Sequence, residues 1–338
     1  MLAENLELSL MAHALDGHYR ETLLPRPTQV DWKRLERLVI RNKLQLLVFD
    51  QILQDPTLAL PDTWRVRFRE ALDDQIDEQK KLGPSMFQIK EILGQTPYVV
   101  VKTFRPFPYF SHDIDVLVED TAAVGNRLTQ AALEWTDIPK GSAVVEDPRW
   151  LDLEFYGRVL PGSIKVIDDE LTLKNPVPAV LGGEDTWVAS PDIEIVTLIA
   201  DAIFRLYELK LGDMVYIYSL AAQADWDLLQ AQAAKYGWHE FFVHIVGVLN
   251  SYHHELFGSP SPIEQHVPGT SRILADAPYV SGWASTTRAL ARKGKRHLIK
   301  LPAYLSVRLK QNHPRLHRAY VKFFQVPVSR VVMRYVYH

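Results

Sequence analysis

Two aspartates one residue apart open an otherwise apolar run, Asp113-Ile114-Asp115-Val116-Leu117-Val118. Alternate residues of a β-strand project from the same side. A strand here presents both carboxylates together while Ile114 and Val116 enter a core. Carboxylates that close repel each other until a cation lies between them. Hard oxygen ligands suit Mg²⁺ or Mn²⁺, and Mg²⁺ typically binds through one or two carboxylates plus substrate phosphates. The chemistry this implies is metal-assisted phosphoryl or nucleotidyl transfer. A lone Asp-x-Asp is equally an ordinary solvated strand edge, so the surrounding pattern has to separate the two readings.

That pattern is strand, short loop, acidic strand, helix. The run Tyr98-Val99-Val100-Val101-Lys102 reads as the preceding strand, and a helix is expected over 121–135. A further acidic strand is expected over 150–156, with Asp152 and Glu154 on one face and Leu151, Leu153 and Phe155 on the other. Three carboxylates on neighbouring strands are what a two-metal site requires.

The chain has 338 residues, enough for two domains, and its 47% hydrophobic and 23% charged residues exclude disordered and fibrous classes. It contains no Cys, which excludes a disulfide framework, a thiolate metal site and a Cys nucleophile. That usage fits a reducing cytoplasm, the compartment expected here. Residues 1–30 lack a secretion-signal pattern, and no apolar run is long enough for a spanning helix. The net charge of −3 hides an asymmetry: residues 288–338 carry 13 Lys and Arg with no Asp or Glu, leaving the other 287 residues at −16. A segment so basic points to a phosphate-rich partner, RNA such as tRNA or an anionic membrane surface. Docking on the acidic body is the alternative.

Residues 31–95 read as helical, with Asp31 and Asp62 as N-caps and a break at Gly83-Pro84. Strands are expected near 98–102, 113–118, 150–156 and 163–167, followed by a Pro- and Gly-rich linker through Pro176, Pro178, Gly182 and Gly183. Ser190-Pro191-Asp192 opens a helix, with Asp192 and Glu194 favoured by its dipole. Further helices fall at about 212–222, 225–236 and 238–257. Near the end, 314–324 reads as a basic amphipathic helix, with Arg315, Arg318 and Lys322 mostly opposite Leu316, Tyr320 and Phe323. The expected architecture is α+β: an N-terminal helical region at 1–95 packing on a small mixed β-sheet core at 96–186, a helical domain at 187–260 and a basic segment at 261–338.

This order of elements, with Val101-Lys102 before a short loop and His112-Asp113-Ile114-Asp115-Val116-Leu117-Val118 after it, resembles the nucleotidyltransferase superfamily. That superfamily has the polymerase-β palm fold, and the likeness is to its uncharacterised "nucleotidyltransferase family protein" branch. The resemblance implies that Asp113 and Asp115 hold the metals that bridge a nucleoside triphosphate. It assigns the third carboxylate to Asp152, with Glu154 as alternate, to help bind the second metal and deprotonate the acceptor hydroxyl. The sequence departs from the superfamily after the first strand, where Gly followed by Ser or Gly normally approaches the phosphates. This chain reads Lys102-Thr103-Phe104-Arg105-Pro106, with Thr103 in the Gly place. Lys102, Thr103 and Arg105 either supply phosphate contacts instead or are charges and a hydroxyl flanking a strand. His112 either touches a phosphate or is structural. Two functions follow. One is a Mg²⁺-dependent enzyme moving a nucleoside monophosphate to a hydroxyl acceptor. The other is an inactive relative that binds RNA or membrane through residues 288–338.

Overall fold

The structure, a computed structural model, describes Glu7, Met11 and residues 30–268 apart from 57, 59, 104, 106, 110, 139–141, 158–164 and 205–209. The basic stretch at 288–338, the amphipathic helix expected at 314–324 and the first residues of the strand expected at 163–167 lie outside the described residues. Four helices come first: α1 (Trp32–Arg41), α2 (Gln45–Gln54), α3 (Asp62–Gln79) and α4 (Leu82–Leu93). Asp31 caps α1, its carboxylate accepting the Arg34 N–H at 2.9 Å. Asp62 is instead the first residue of α3, with Pro61 in the capping position. Its charge there meets the positive end of the helix dipole.

The middle of the chain forms β1 (Tyr98–Val101), β2 (Asp113–Val118), α5 (Thr121–Gln130), β3 (Thr136–Ile138), β4 (Ser142–Val145), β5 (Asp152–Tyr156), the short α6 (Asp169–Thr172), β6 (Val177–Leu181) and β7 (Glu184–Val188). These strands make one mixed sheet in the order β3-β4-β5-β2-β1-β7-β6. β2 runs antiparallel to β1 and parallel to β5. The chain ends its described part in α7 (Pro191–Phe204), α8 (Leu211–Leu220), α9 (Trp226–Lys235) and α10 (His239–Phe257). Among the described residues no helix is long and apolar enough to cross a membrane.

Both faces of the central strands are covered, so each strand must be apolar at nearly every position. Val100, Ile114, Val116, Val118, Leu153 and Phe155 pack on α4 and α5. Val99, Val101 and Leu117 turn to the opposite face and join the core of α7–α10. The first helices bury a cluster of their own around Trp32, Leu35, Phe49 and Phe68. The rings of Phe49 and Phe68 stack there at 4.4 Å.

The stretch expected as a linker is a hairpin. Leu181 pairs with Glu184, and the two residues between, Gly182 and Gly183, have φ of 59° and 85°. Two left-handed residues make the tight turn whose twist matches antiparallel strands, and glycine adopts them without steric cost. Residues 165–167, expected as a strand, are irregular, with Val166 and Ile167 buried against the helical core. The helix expected to 135 stops at Gln130, where Ala132 turns left-handed (φ 54°).

Two local contacts tie these layers together. A Cβ on Gly83 would meet the Gly182 carbonyl oxygen at 2.6 Å, so α4 and the hairpin turn touch backbone to backbone. Asp168, just before α6, accepts from Gln232 Nε2 at 3.0 Å, from Lys235 Nζ at 2.6 Å and from the Tyr236 hydroxyl. These donors hold its carboxyl at about 2, below the ordinary 3.8, with the Lys235 hydrogen bond as the largest cause.

Gly83→Ala therefore overpacks the seam and should lower stability by about 1–3 kcal/mol, read from the denaturant midpoint at unchanged slope. Asp168→Asn should cost about 1 kcal/mol at neutral pH, a figure discounted for solvent screening at this surface site. Because the folded value is depressed, that contribution is full above pH about 4 and lost as pH falls towards 2. The gap between wild-type and variant midpoints should close over that interval.

Candidate metal centre

The parallel register of β2 and β5 sets Asp113 beside Asp152 and Asp115 beside Glu154. Paired residues share a face of the sheet, so four acidic side chains rise from one side where both strands begin. Oxygens of Asp113, Asp115 and Glu154 lie within 4.8 Å of one another. Asp152, the expected third carboxylate, is not part of this group. It occupies the first position of β5, is exposed, and donates its backbone N–H to the His112 carbonyl at 3.3 Å. Glu154 sits one strand position pair deeper, and its extra methylene carries its carboxylate towards Asp113.

Ligands on opposite sides of one octahedral Mg²⁺ stand about 4 Å apart. A cluster of three carboxylates this tight is thus a small side-chain adjustment from enclosing such an ion. The donor set is all oxygen and all anionic, which suits a hard divalent cation.

Neighbouring groups tune the cluster. Burial opposes the charge on Asp113, but a 2.7 Å hydrogen bond from the Ser111 hydroxyl and the ammonium charges of Lys43 and Lys102 outweigh it. Asp113 is consequently held below the ordinary carboxylate range. Asp115 accepts from the Tyr156 hydroxyl at 2.7 Å on one oxygen and from Lys102 Nζ at 2.9 Å on the other. Burial, then the charges of Asp115 and Glu154, push the Tyr156 phenol upward, so it stays protonated as a donor. Burial also raises Asp152, helped by the nearby charges of Glu146 and Asp113.

Lys102 is the pivot of the site. Val101 is the β1 partner of Asp115, so the next residue leaves the sheet beside the acids. Lys102 leaves it in the left-handed region, φ 61°, which a side chain with a Cβ rarely adopts. The left-handed residue is thus Lys102, one position before the expected Gly place at Thr103. Two acids of α7 hold it there. Both oxygens of Glu194 accept the Lys102 backbone N–H, at 2.9 and 3.2 Å. Asp201, two helical turns further along the same face, accepts from Lys102 Nζ at 3.2 Å. Burial lifts Glu194 to about 7, against the pull of the Arg105 and Lys102 charges.

The other expected phosphate contacts fall differently. Arg105 is enclosed, with its side chain 1% exposed, bonded to Asp213 at 3.1 Å and 3.8 Å from Glu194. Its guanidinium lies 4.1 Å from the Tyr216 ring centroid and 4.9 Å from that of Tyr109. It fastens the loop between β1 and β2 to α8 because a buried guanidinium needs those carboxylates and ring faces. The Thr103 hydroxyl donates to the Val101 carbonyl at 3.2 Å, and the His112 side chain is exposed at the rim.

Sequence reasoning assigned Glu194 to the helix dipole and did not single out Asp201, Asp213, Tyr156 or Lys43. A signal for the first two was available. Beyond Asp192 in its first turn, the largely apolar helix Pro191–Phe204 carries acids at 194 and 201, a spacing that puts both on one buried face.

Lys102 and Arg105 between them engage Asp115, Asp201, Glu194 and Asp213, more carboxyl groups than cations. No curated protein and no solved structure gives a match to this chain. One family model does, and it spans all of β1 to β7, the helices on either side and every acid of the cluster. The chain belongs to the family described as "uncharacterised nucleotidyltransferase", whose model matches residues 28–254.

Proposed function

We propose that this protein is a nucleotidyltransferase that moves a nucleoside monophosphate from a nucleoside triphosphate to a hydroxyl acceptor. Its Mg²⁺ or Mn²⁺ would be held by Asp113, Asp115 and Glu154. The observation that carries the reading is the convergence of those three carboxylates at one end of parallel strands, in a chain of this family. What the cation supplies when bound is charge neutralisation at the phosphates and polarisation at the attacked phosphorus.

The residues of the chain take the remaining roles. Tyr156 and Lys102 fix both oxygens of Asp115, so its lone pairs keep one orientation. Ser111 does the same for Asp113. Glu154 would take the proton of the acceptor hydroxyl as that oxygen attacks the α-phosphorus and pyrophosphate departs in line. Asp152 stands at the rim, where its charge adds to the field of the cleft. Lys102 contacts the phosphates through its ammonium, and Thr103 and His112 line the same edge. The basic residues 288–338 favour a polyanionic acceptor such as RNA.

A second reading rests on the Gly-Ser pair that is missing after β1 and on the sequestration of Arg105, which removes one of the cations expected to replace it. An inactive relative would bind RNA or anionic membrane through 288–338 without using the acids.

Titration with Mn²⁺, followed by electron paramagnetic resonance, separates these readings. Wild type should bind Mn²⁺, and Asp113→Asn and Glu154→Gln should each weaken it by about a hundredfold or more, since losing even an outer partner of a metal ligand costs ~10–100-fold. Asp152→Asn should stay within about threefold, as a charge at the rim acts only through screened Coulomb terms. Incubating wild type with each α-labelled triphosphate and total RNA or lysate should then label an acceptor, and Asp113→Asn should abolish the label. Equal Mn²⁺ binding by wild type and Asp113→Asn would rule out the proposed centre.

A further inference from the structure

Lys43 lies in the turn between α1 and α2, far from the acids in sequence. Its neighbours pin that turn to the helical domain. Asn42 accepts the Leu211 N–H at 2.8 Å and donates to the Leu38 carbonyl at 2.8 Å. Leu44 is fully buried, and a Cβ on Gly212 would meet Leu44 Cδ2 at 3.3 Å and the Asn42 carbonyl oxygen at 3.4 Å. Between these two anchors Lys43 adopts the left-handed region, φ 56°. The direction in which its side chain leaves the turn is thus set by folding.

That direction is towards the loop joining β1 to β2, the loop that leads into Asp113. Lys43 Nζ stands 6.0 Å from the ring centroid of Tyr109, in the loop joining β1 to β2. Its charge also acts on Asp113. Lys43 is half-buried, and among the described residues no carboxylate lies within ion-pair distance of its ammonium. Lys102 differs, being engaged by both Asp115 and Asp201. A lysine acts on phosphate as a point charge, and partial burial weakens the screening of that charge.

We propose that Lys43 binds the polyphosphate chain of the nucleotide, so that the N-terminal helices complete the site. The proposal rests on the reading of Asp113, Asp115 and Glu154 as metal ligands. A cation beside a metal cluster has two opposite effects. It repels the free metal ion, and it attracts the anion that the metal brings with it. A residue that merely supports the turn has neither signature.

The test uses the full chain and two probes, Mn²⁺ alone and Mn²⁺ with inorganic tripolyphosphate, both by calorimetry. Lys43→Asn removes the charge while tolerating the left-handed backbone, and Lys43→Arg keeps the charge. Lys43→Asn should bind Mn²⁺ alone as tightly as wild type or a few-fold tighter, yet bind tripolyphosphate with Mn²⁺ about tenfold more weakly, the size expected for one partly screened charge. Lys43→Arg should recover most of that loss. Wild-type affinity for both probes in Lys43→Asn, or an equal loss for both, would overturn the role of Lys43 while leaving the metal centre standing. Absence of Mn²⁺ binding by wild type would instead remove the centre, and the role of Lys43 with it.

Discussion

The pairing of β2 with β5 is the constraint on which the site depends. In parallel strands each residue shares a face with its partner, so one register decides which acids meet. The observed register brings Asp115 to Glu154 and Asp113 to Asp152. A slip of one residue would turn either Ile114 and Val116 or Leu153 and Phe155 out of the core of α4 and α5. All four are buried, so the apolar face of each strand fixes the register, and the register gathers the carboxylates. The acids themselves oppose the arrangement, since burying like charges together is costly. The core that lies beneath them outweighs that cost.

Lys102, gripped by α7, and the Tyr156 hydroxyl of β5 offset part of the repulsion. α7 grips Lys102 at two points, backbone N–H to Glu194 and ammonium to Asp201. The ammonium thereby reaches Asp115, and Tyr156 adds a neutral donor to the same carboxylate. Side-chain acids from another element thus hold a lysine in a left-handed conformation. Arg105 is drawn into the same arrangement. Its guanidinium between the Tyr109 and Tyr216 rings welds the β1–β2 loop to α8. Backbone strain of this kind survives only where the surroundings over-determine it, and here two helices, α7 and α8, converge on the loop.

The N-terminal helices are joined to that convergence as well. Asn42 and Leu44 dock the α1–α2 turn onto the start of α8, and Phe107 from the β1–β2 loop packs between the two cores. The site therefore draws on the N-terminal helices, the sheet and the later helices. Its charge balance is a property of the assembled layers, with carboxyl groups in excess over the cations that touch them.

Several parts of this arrangement could be read from residue order alone. Alternation in Asp113–Val118 and Asp152–Tyr156 fixes which side chains share a face, because the period of a strand is two whatever surrounds it. That was enough for the α+β class, the two acidic strands and the pairing of Asp113 with Asp115. The helices at Trp226–Lys235 and His239–Phe257 were legible from apolar spacing in the same way. The hairpin at Val177–Val188 was not, since the Gly-Gly turn and Pro178 read as linker until a neighbouring strand accepted the pairing. The choice between Asp152 and Glu154 belongs to the tertiary structure as well. Both have the same parity along β5, and only the register against β2 and the reach of each side chain distinguish them. The positions of Lys43, Glu194 and Asp201 depend on how helices dock, a long-range matter that no local period encodes. Local periodicity thus determined which residues face the same way, and packing decided which of them meet.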